Sequence, residues 1–172
     1  MRFWRAKHLA ESKKNSNFAP MNEKTGIFVG TFDPFTVGHD SVVRRALPLF
    51  DRLVIGVVGD NVQKPNITPA EQRMQAISRL YAREPRISVQ PYYGLAVDFA
   101  RSVGARFIVK GVRSVKDFEY EREQADINRL ISGGEVETIL LYSEPQLSSI
   151  SSSMVRELQH FGLDVSAFLP EQ

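Results

Sequence analysis

The 172-residue sequence contains no cysteine, which excludes disulfides, thiolate metal sites and a cysteine nucleophile. No apolar run approaches the roughly 18 to 20 residues of a membrane span, and the first residues lack the apolar core of a secretory signal. A soluble, cytoplasmic chain is therefore expected. Three signatures are also missing: the Gly-x-Gly-x-x-Gly turn of dinucleotide binders, the Gly-x4-Gly-Lys-Ser/Thr phosphate loop and the Gly-x-Ser-x-Gly nucleophile elbow. There are no internal repeats and no low-complexity tract. The single tryptophan, Trp4, lies outside any periodic segment.

What is present is enough for one globular domain, since 42% of the residues are hydrophobic. The pI near 9.0 is misleading about partners. Residues 1–20 carry five basic side chains against one acidic, whereas residues 21–172 hold 17 basic and 19 acidic. A nucleic-acid footprint should lie on the fold itself, so nucleic acid is not the expected ligand. Met21 directly precedes "NEKTGIFVG". Residues 1–20 are accordingly set apart, as an upstream misreading or a disordered arm, from a domain at 21–172.

Five short apolar runs read as strands: "GIFVG" (26–30), "RLVIGVV" (52–58), "RISVQPY" (86–92), "RFIVKG" (106–111) and "ETILLYS" (137–143). Being β-branched and nearly unbroken, they predict strands buried on both faces. Helix-period segments lie between them. The first places Val42, Val43, Ala46, Leu47 and Phe50 on one side, with Pro48 bending or ending it. Another starts at "TPAE", where Thr68, Pro69 and Glu71 predict a capping box ahead of the stripe Met74, Ile77, Leu80 and Tyr81. In "SSSMVRELQHFG" the serines predict an N-cap and Gly162 a C-terminal stop. The alternation predicts a single Rossmann-like domain: a doubly wound α/β fold with a five-stranded parallel sheet and its ligand beyond the carboxyl ends of the strands.

The strand-to-helix joins at that rim are "GTFDPFTVGH" (30–39), "GDNVQKPNIT" (59–68), "YYGLA" (92–96), "KGVRSVKDFEYE" (110–121) and "SEPQLSSISSS" (143–153). They supply Thr31, His39, Lys64, Lys110, Arg113 and a run of serines, a set rich in donors and cations and poor in acids. Together with helix N-termini, such a rim favours phosphate. His39, at the start of a helix, is read as a donor to a phosphate oxygen rather than as a base. Thr36 is read as a helix cap and Asp33 as a turn residue. Asp117, Glu121, Gln124 and Asn128 form one polar stripe. A solvated helix face accounts for it; a ribose, base or subunit contact is the sharper alternative.

"GTFDPFTVGH", "KGVRSVKDFEYE" and "ISSSMVREL", in that order from residue 26 onward, resemble bacterial phosphopantetheine adenylyltransferases, in the nucleotidyltransferase superfamily marked by a His/Thr-x-Gly-His motif. The first motif is shared with cytidylyltransferases and nicotinamide mononucleotide adenylyltransferases; "GxRxxxDFEYE" narrows the resemblance. It implies a reaction of ATP with 4′-phosphopantetheine to give dephospho-coenzyme A and pyrophosphate, by in-line attack without a covalent enzyme intermediate. His39, Thr31, Lys64 and Arg113 would then be catalytic. Thr31 and Phe32 would stand where the substrates meet, and Lys64, Lys110 and the Ala96 backbone would hold phosphopantetheine. Gly111, Val112, Arg113, Glu121 and the segment Leu147, Ser148, Ser149, Ile150, Ser151, Ser152 and Ser153 would surround ATP. Mg²⁺ would accompany the nucleotide without a protein ligand set, coenzyme A would be a feedback ligand, and the chain would form a homohexamer, a dimer of trimers. Two departures from the family stand out. Lys110 replaces a frequent arginine, losing the bidentate fork. Counting from the preceding strand puts Gln63 at the family's lysine position, whereas counting back from Arg73 puts Lys64 there. The C-terminal helix common in the family is expected to be short or missing.

Overall fold

The computed structural model describes residues 23–60 and 68–171. Among them, five strands alternate with five α-helices: β1 (Thr25–Gly30), α1 (Val37–Ala46), β2 (Arg52–Val58), α2 (Ala70–Leu80), β3 (Ile87–Tyr92), α3 (Ala96–Ser102), β4 (Phe107–Val112), α4 (Val115–Ile131), β5 (Glu137–Tyr142) and α5 (Ser152–His160). Every expected strand is present, with its ends shifted by at most a residue. After α5, Ser166–Phe168 form only a 3-10 turn.

All strand pairs are parallel, in the order β3-β2-β1-β4-β5. The chain starts at the centre, moves outward to β3, then crosses back to place β4 on the other side of β1. The strand order thus reverses between β1 and β4, and a crevice opens beyond their carboxyl ends.

Period-two alternation in the central strands builds two cores. Phe28 of β1 with Leu53, Ile55 and Val57 of β2 meets α1 and α2 on one face, while Ile27, Val29 and Val54 meet α3 on the other. Burial on both faces holds for β1 and β2. Edge strands β3 and β5 are only half-buried, because each has a neighbour on one side alone.

Local signals explain the helix boundaries, with one correction. α1 ends at Ala46 and passes into a 3-10 turn containing Pro48, as the missing proline N–H requires. The capping box expected at Thr68 does not form: the Ala70 N–H donates instead to the Asp60 carboxylate at 3.0 Å, and the Thr68 carbonyl accepts from Arg73. A charged acceptor outcompetes the threonine hydroxyl at this helix entry.

α4 decides between the two readings of its polar stripe. The stripe Asp117, Glu121, Gln124 and Asn128 is its half-buried side, whereas Val115, Tyr120 and Leu130 are 75%, 60% and 80% exposed. A solvated polar face is therefore not the explanation for the stripe. At its N-terminal end this side meets the crevice, which Asp117 and Glu121 line.

Candidate active site

A cleft of about 340 Å³ occupies the crevice. Its walls come from the ends of β1 and β4, the start of α1, the first turns of α4 and the start of α5. Thr31, Phe32, His39, Lys110, Arg113 and Glu121 all line it, with Gly111 and the segment 150–153. Close approach of backbone elements shapes it: a Cβ on Gly111 would sit 2.8 Å from Val42 Cγ2, so α1 rests on β4 only because that residue is glycine.

Leaving β1, the chain folds back on itself. Phe32 adopts a left-handed φ of 53°, which costs a non-glycine residue roughly 1–2 kcal/mol. Its buried ring covers Gly30, where a Cβ would lie 2.8 Å from Phe32 Cε1. The loop is held through its carbonyls by side chains from elsewhere: Arg73 donates to Thr31, Arg156 to Asp33 and Ser152 to Pro34. Packing and these bonds offset the backbone strain.

His39 is oriented by its own helix start. Thr36 is the N-cap of α1 and His39 its third residue, so the His39 ring takes the place that Glu or Gln fills in a capping box. The Thr36 N–H donates to His39 Nδ1 at 3.0 Å, and Thr36 Oγ1 lies 3.0 Å from the same nitrogen. A backbone amide can only donate, so Nδ1 is the acceptor and the proton of the neutral ring sits on Nε2. Burial lowers the pKa from 6.5 to about 4, and the Arg113 charge lowers it further within that shift. The ring packs edge-on to Phe32 at 5.1 Å and lies 5.3 Å from Phe35. The result is a neutral imidazole with a fixed Nε2–H donor. Asp40, next in sequence, accepts from Tyr81 Oη at 2.6 Å and pairs with Arg44, which ties α1 to α2.

The cations of the cleft are paired. Arg113 Nε donates to Asp117 at 2.9 Å and its Nη1 reaches the Ile150 carbonyl, linking the β4–α4 join to the serine segment. Lys110 Nζ stands 3.3 Å from Glu121 Oε2, a buried oxygen without a hydrogen bond among the described residues. The expectation of a rim poor in acids is thus corrected. Two carboxylates from the inward stripe of α4, Asp117 and Glu121, hold Arg113 and Lys110 in place.

Ser151 caps α5, its Oγ accepting from the Met154 N–H at 3.1 Å, and Ser152 Oγ donates to the Pro34 carbonyl at 2.8 Å. The N-terminus of α5 thereby opens into the cleft, with donors suited to an anion. Leu147, Ser148 and Ser149 lie at a 3-10 turn and its end, outside the cleft lining. Val112 is buried at the end of β4, and Ala96 opens α3 against the second core. Lys64, Gln63 and the leader lie outside the described residues. Sequence reasoning treated Arg73 as a counting landmark alone. Its signal was its place on the buried stripe of α2, four residues before Ile77.

Comparison with known proteins agrees with this architecture. Residues 27–158 match the cytidylyltransferase-like family. Proteins called phosphopantetheine adenylyltransferase from Phocaeicola vulgatus and Bacteroides fragilis are 55% and 52% identical over 148 residues. That span is 86% of this chain and 96% and 97% of theirs. The protein of that name from Porphyromonas gingivalis is 51% identical over 151 residues, 88% of this chain and 97% of its own. Among solved structures, a bifunctional NMN adenylyltransferase/ADP ribose pyrophosphatase from Francisella tularensis superposes with a TM-score of 0.64 at 16% identity. It covers 86% of this chain and 45% of that one, a likeness of fold. With over half of the aligned residues shared with such relatives along nearly their whole length, the chain belongs to the phosphopantetheine adenylyltransferases within the cytidylyltransferase-like family.

Proposed function

We propose that the chain transfers the adenylyl group of ATP to 4′-phosphopantetheine, releasing pyrophosphate and dephospho-coenzyme A, in coenzyme A synthesis. The observation that carries the mechanism is the neutral His39 ring with its proton on Nε2. A phosphate oxygen of the acceptor attacks the α-phosphorus in line. The new O–P bond forms as the bond to the β-phosphate bridging oxygen breaks, and pyrophosphate leaves with that electron pair. The nucleophile is already ionised, so the enzyme needs positioning and charge stabilisation rather than a base.

The Nε2–H of His39 donates to a non-bridging oxygen of the α-phosphate. Thr31 and Phe32 lie where the two substrates meet. Arg113, Gly111, Val112, Glu121 and the segment 147–153 surround ATP. Lys110, Lys64 and the Ala96 backbone take phosphopantetheine, and coenzyme A binds as feedback ligand. Mg²⁺, when bound with ATP, neutralises phosphate charge. The cleft carboxylates fit an ion held by phosphate and water, since Asp117 and Glu121 already face Arg113 and Lys110.

No helix among the described residues is long and apolar enough to cross a membrane, which fits the proposed cytoplasmic setting. The outward apolar residues of α4 support self-association, as the homohexamer requires. Pyrophosphate release assayed against a panel of phosphorylated acceptors tests the reaction. Turnover with phosphopantetheine is expected. Turnover with nicotinamide mononucleotide in its place, or ATP binding without turnover, would overturn it.

A further inference from the structure

Arg73 of α2 is 3% exposed, yet nothing in the chemistry above uses it. Its guanidinium donates from Nε to the Thr68 carbonyl at 2.9 Å, and from Nη1 to the Val58 carbonyl at 3.0 Å and the Thr31 carbonyl at 2.5 Å. Nη2 donates to Asp60 Oδ1 at 2.9 Å. These acceptors stand at the exit of β1, the end of β2 and the entry to α2. The position belongs to an apolar stripe that includes Ala70 and Ile77, where leucine or methionine would pack without the desolvation cost of a buried charge.

The geometry of the guanidinium indicates its use. It is planar, so one side chain fixes the mutual directions of three backbone carbonyls, which a lysine ammonium cannot do. The Thr31 carbonyl points to Arg73, which does not line the cleft. In a trans peptide the following N–H points the opposite way, so Phe32 N–H is turned toward the cleft side. That N–H has no acceptor among the described residues.

We propose that Arg73 is a positioning residue for adenylyl transfer: by holding the Thr31 carbonyl together with β2 and α2, it sets the Thr31–Phe32 peptide at the reaction centre. This rests on the reading that Thr31 and Phe32 lie where the substrates meet. A loose peptide at that point costs rate rather than nucleotide affinity, because misplacement of about 1 Å at a reaction centre can cost about 100-fold.

The test is a double-mutant cycle of Arg73→Lys and Thr31→Ala in the pyrophosphate-release assay, with ATP affinity from calorimetry and folding from circular dichroism. Arg73→Lys is expected to lower kcat at least about tenfold while changing ATP Kd less than about threefold. Combined with Thr31→Ala, it should cost far less than the product of the two single losses, because Arg73 holds the backbone that carries the Thr31 hydroxyl. An unchanged kcat, or losses that multiply, overturns the proposal. If Thr31→Ala and His39→Ala both leave kcat intact, the reaction-centre reading itself fails, and this inference with it. Should Arg73→Lys not fold, Asp60→Asn takes its place in the cycle, since it removes the ion pair and keeps an oxygen for the Ala70 N–H. A kcat loss non-additive with Thr31→Ala supports the proposal, and an unchanged kcat overturns it.

Discussion

Replacing His39 by alanine isolates the donor on which the proposed mechanism turns. A preorganised donor aimed at charge that develops in the transition state is worth about 100- to 1,000-fold in kcat, or about 2.7–4 kcal/mol. His39 has that preorganisation: Nδ1 is pinned by the Thr36 N–H at 3.0 Å and the ring is packed against Phe32 at 5.1 Å. Little reorganisation remains for the moment of reaction. His39→Ala should therefore lower kcat at least about 100-fold while ATP Kd, measured by calorimetry, changes less than about threefold. The state of the ring is read directly by ¹⁵N NMR of histidine-labelled protein. Only three histidines are present, so the signal lost in His39→Ala assigns the site. Nδ1 should be unprotonated and Nε2 protonated from pH 8 down to about 5.5. There a pKa of about 4 leaves roughly 3% of the ring charged, against roughly 90% for an ordinary histidine. Titration near pH 6.5, a proton on Nδ1, or near-normal kcat in His39→Ala would each refute the neutral-donor mechanism.

The same shift makes stability depend on pH. Between about pH 6.5 and 4 the unfolded chain binds a proton at His39 that the folded chain excludes, so this residue's contribution falls as pH drops, by up to about 3 kcal/mol. Urea melts across that range should show the fall, and His39→Ala should flatten it. Gly111→Ala places a methyl group 2.8 Å from Val42 Cγ2 and should cost about 1–3 kcal/mol in the same melts, with reduced kcat because α1 carries His39. Lys64→Ala and Gln63→Ala, compared in the turnover assay, should differ sharply: the residue holding the acceptor phosphate gives the large loss, and Lys64 is the expected one. Light scattering should report six copies of the chain, and Leu130→Asp, at a side chain 80% exposed on α4, should shift the population toward smaller species.

The strands were legible because unbroken β-branched runs have few alternatives, and the strand-end rule then pointed to the rim where Thr31, His39, Lys110, Arg113 and Ser151 to Ser153 share one cleft. Two features escaped for physical reasons. Amphipathic logic turns a polar stripe outward, but it assumes that the inner side of a helix meets core; α4 meets the cleft, so Asp117 and Glu121 face in. Arg73 escaped because an arginine is normally read as a surface charge, although Ala70, Arg73 and Ile77 keep helical spacing on a buried face. Thr36 shows the converse. Its reading as a cap was right but incomplete, since the cap-to-third-residue spacing that joins it to His39 is what fixes the ring nitrogen carrying the proton. Helix-start chemistry and the proposed catalytic donor here share one hydrogen bond, so a change that moves the start of α1 away from the Thr36 N–H should release the tautomer that the proposed reaction uses.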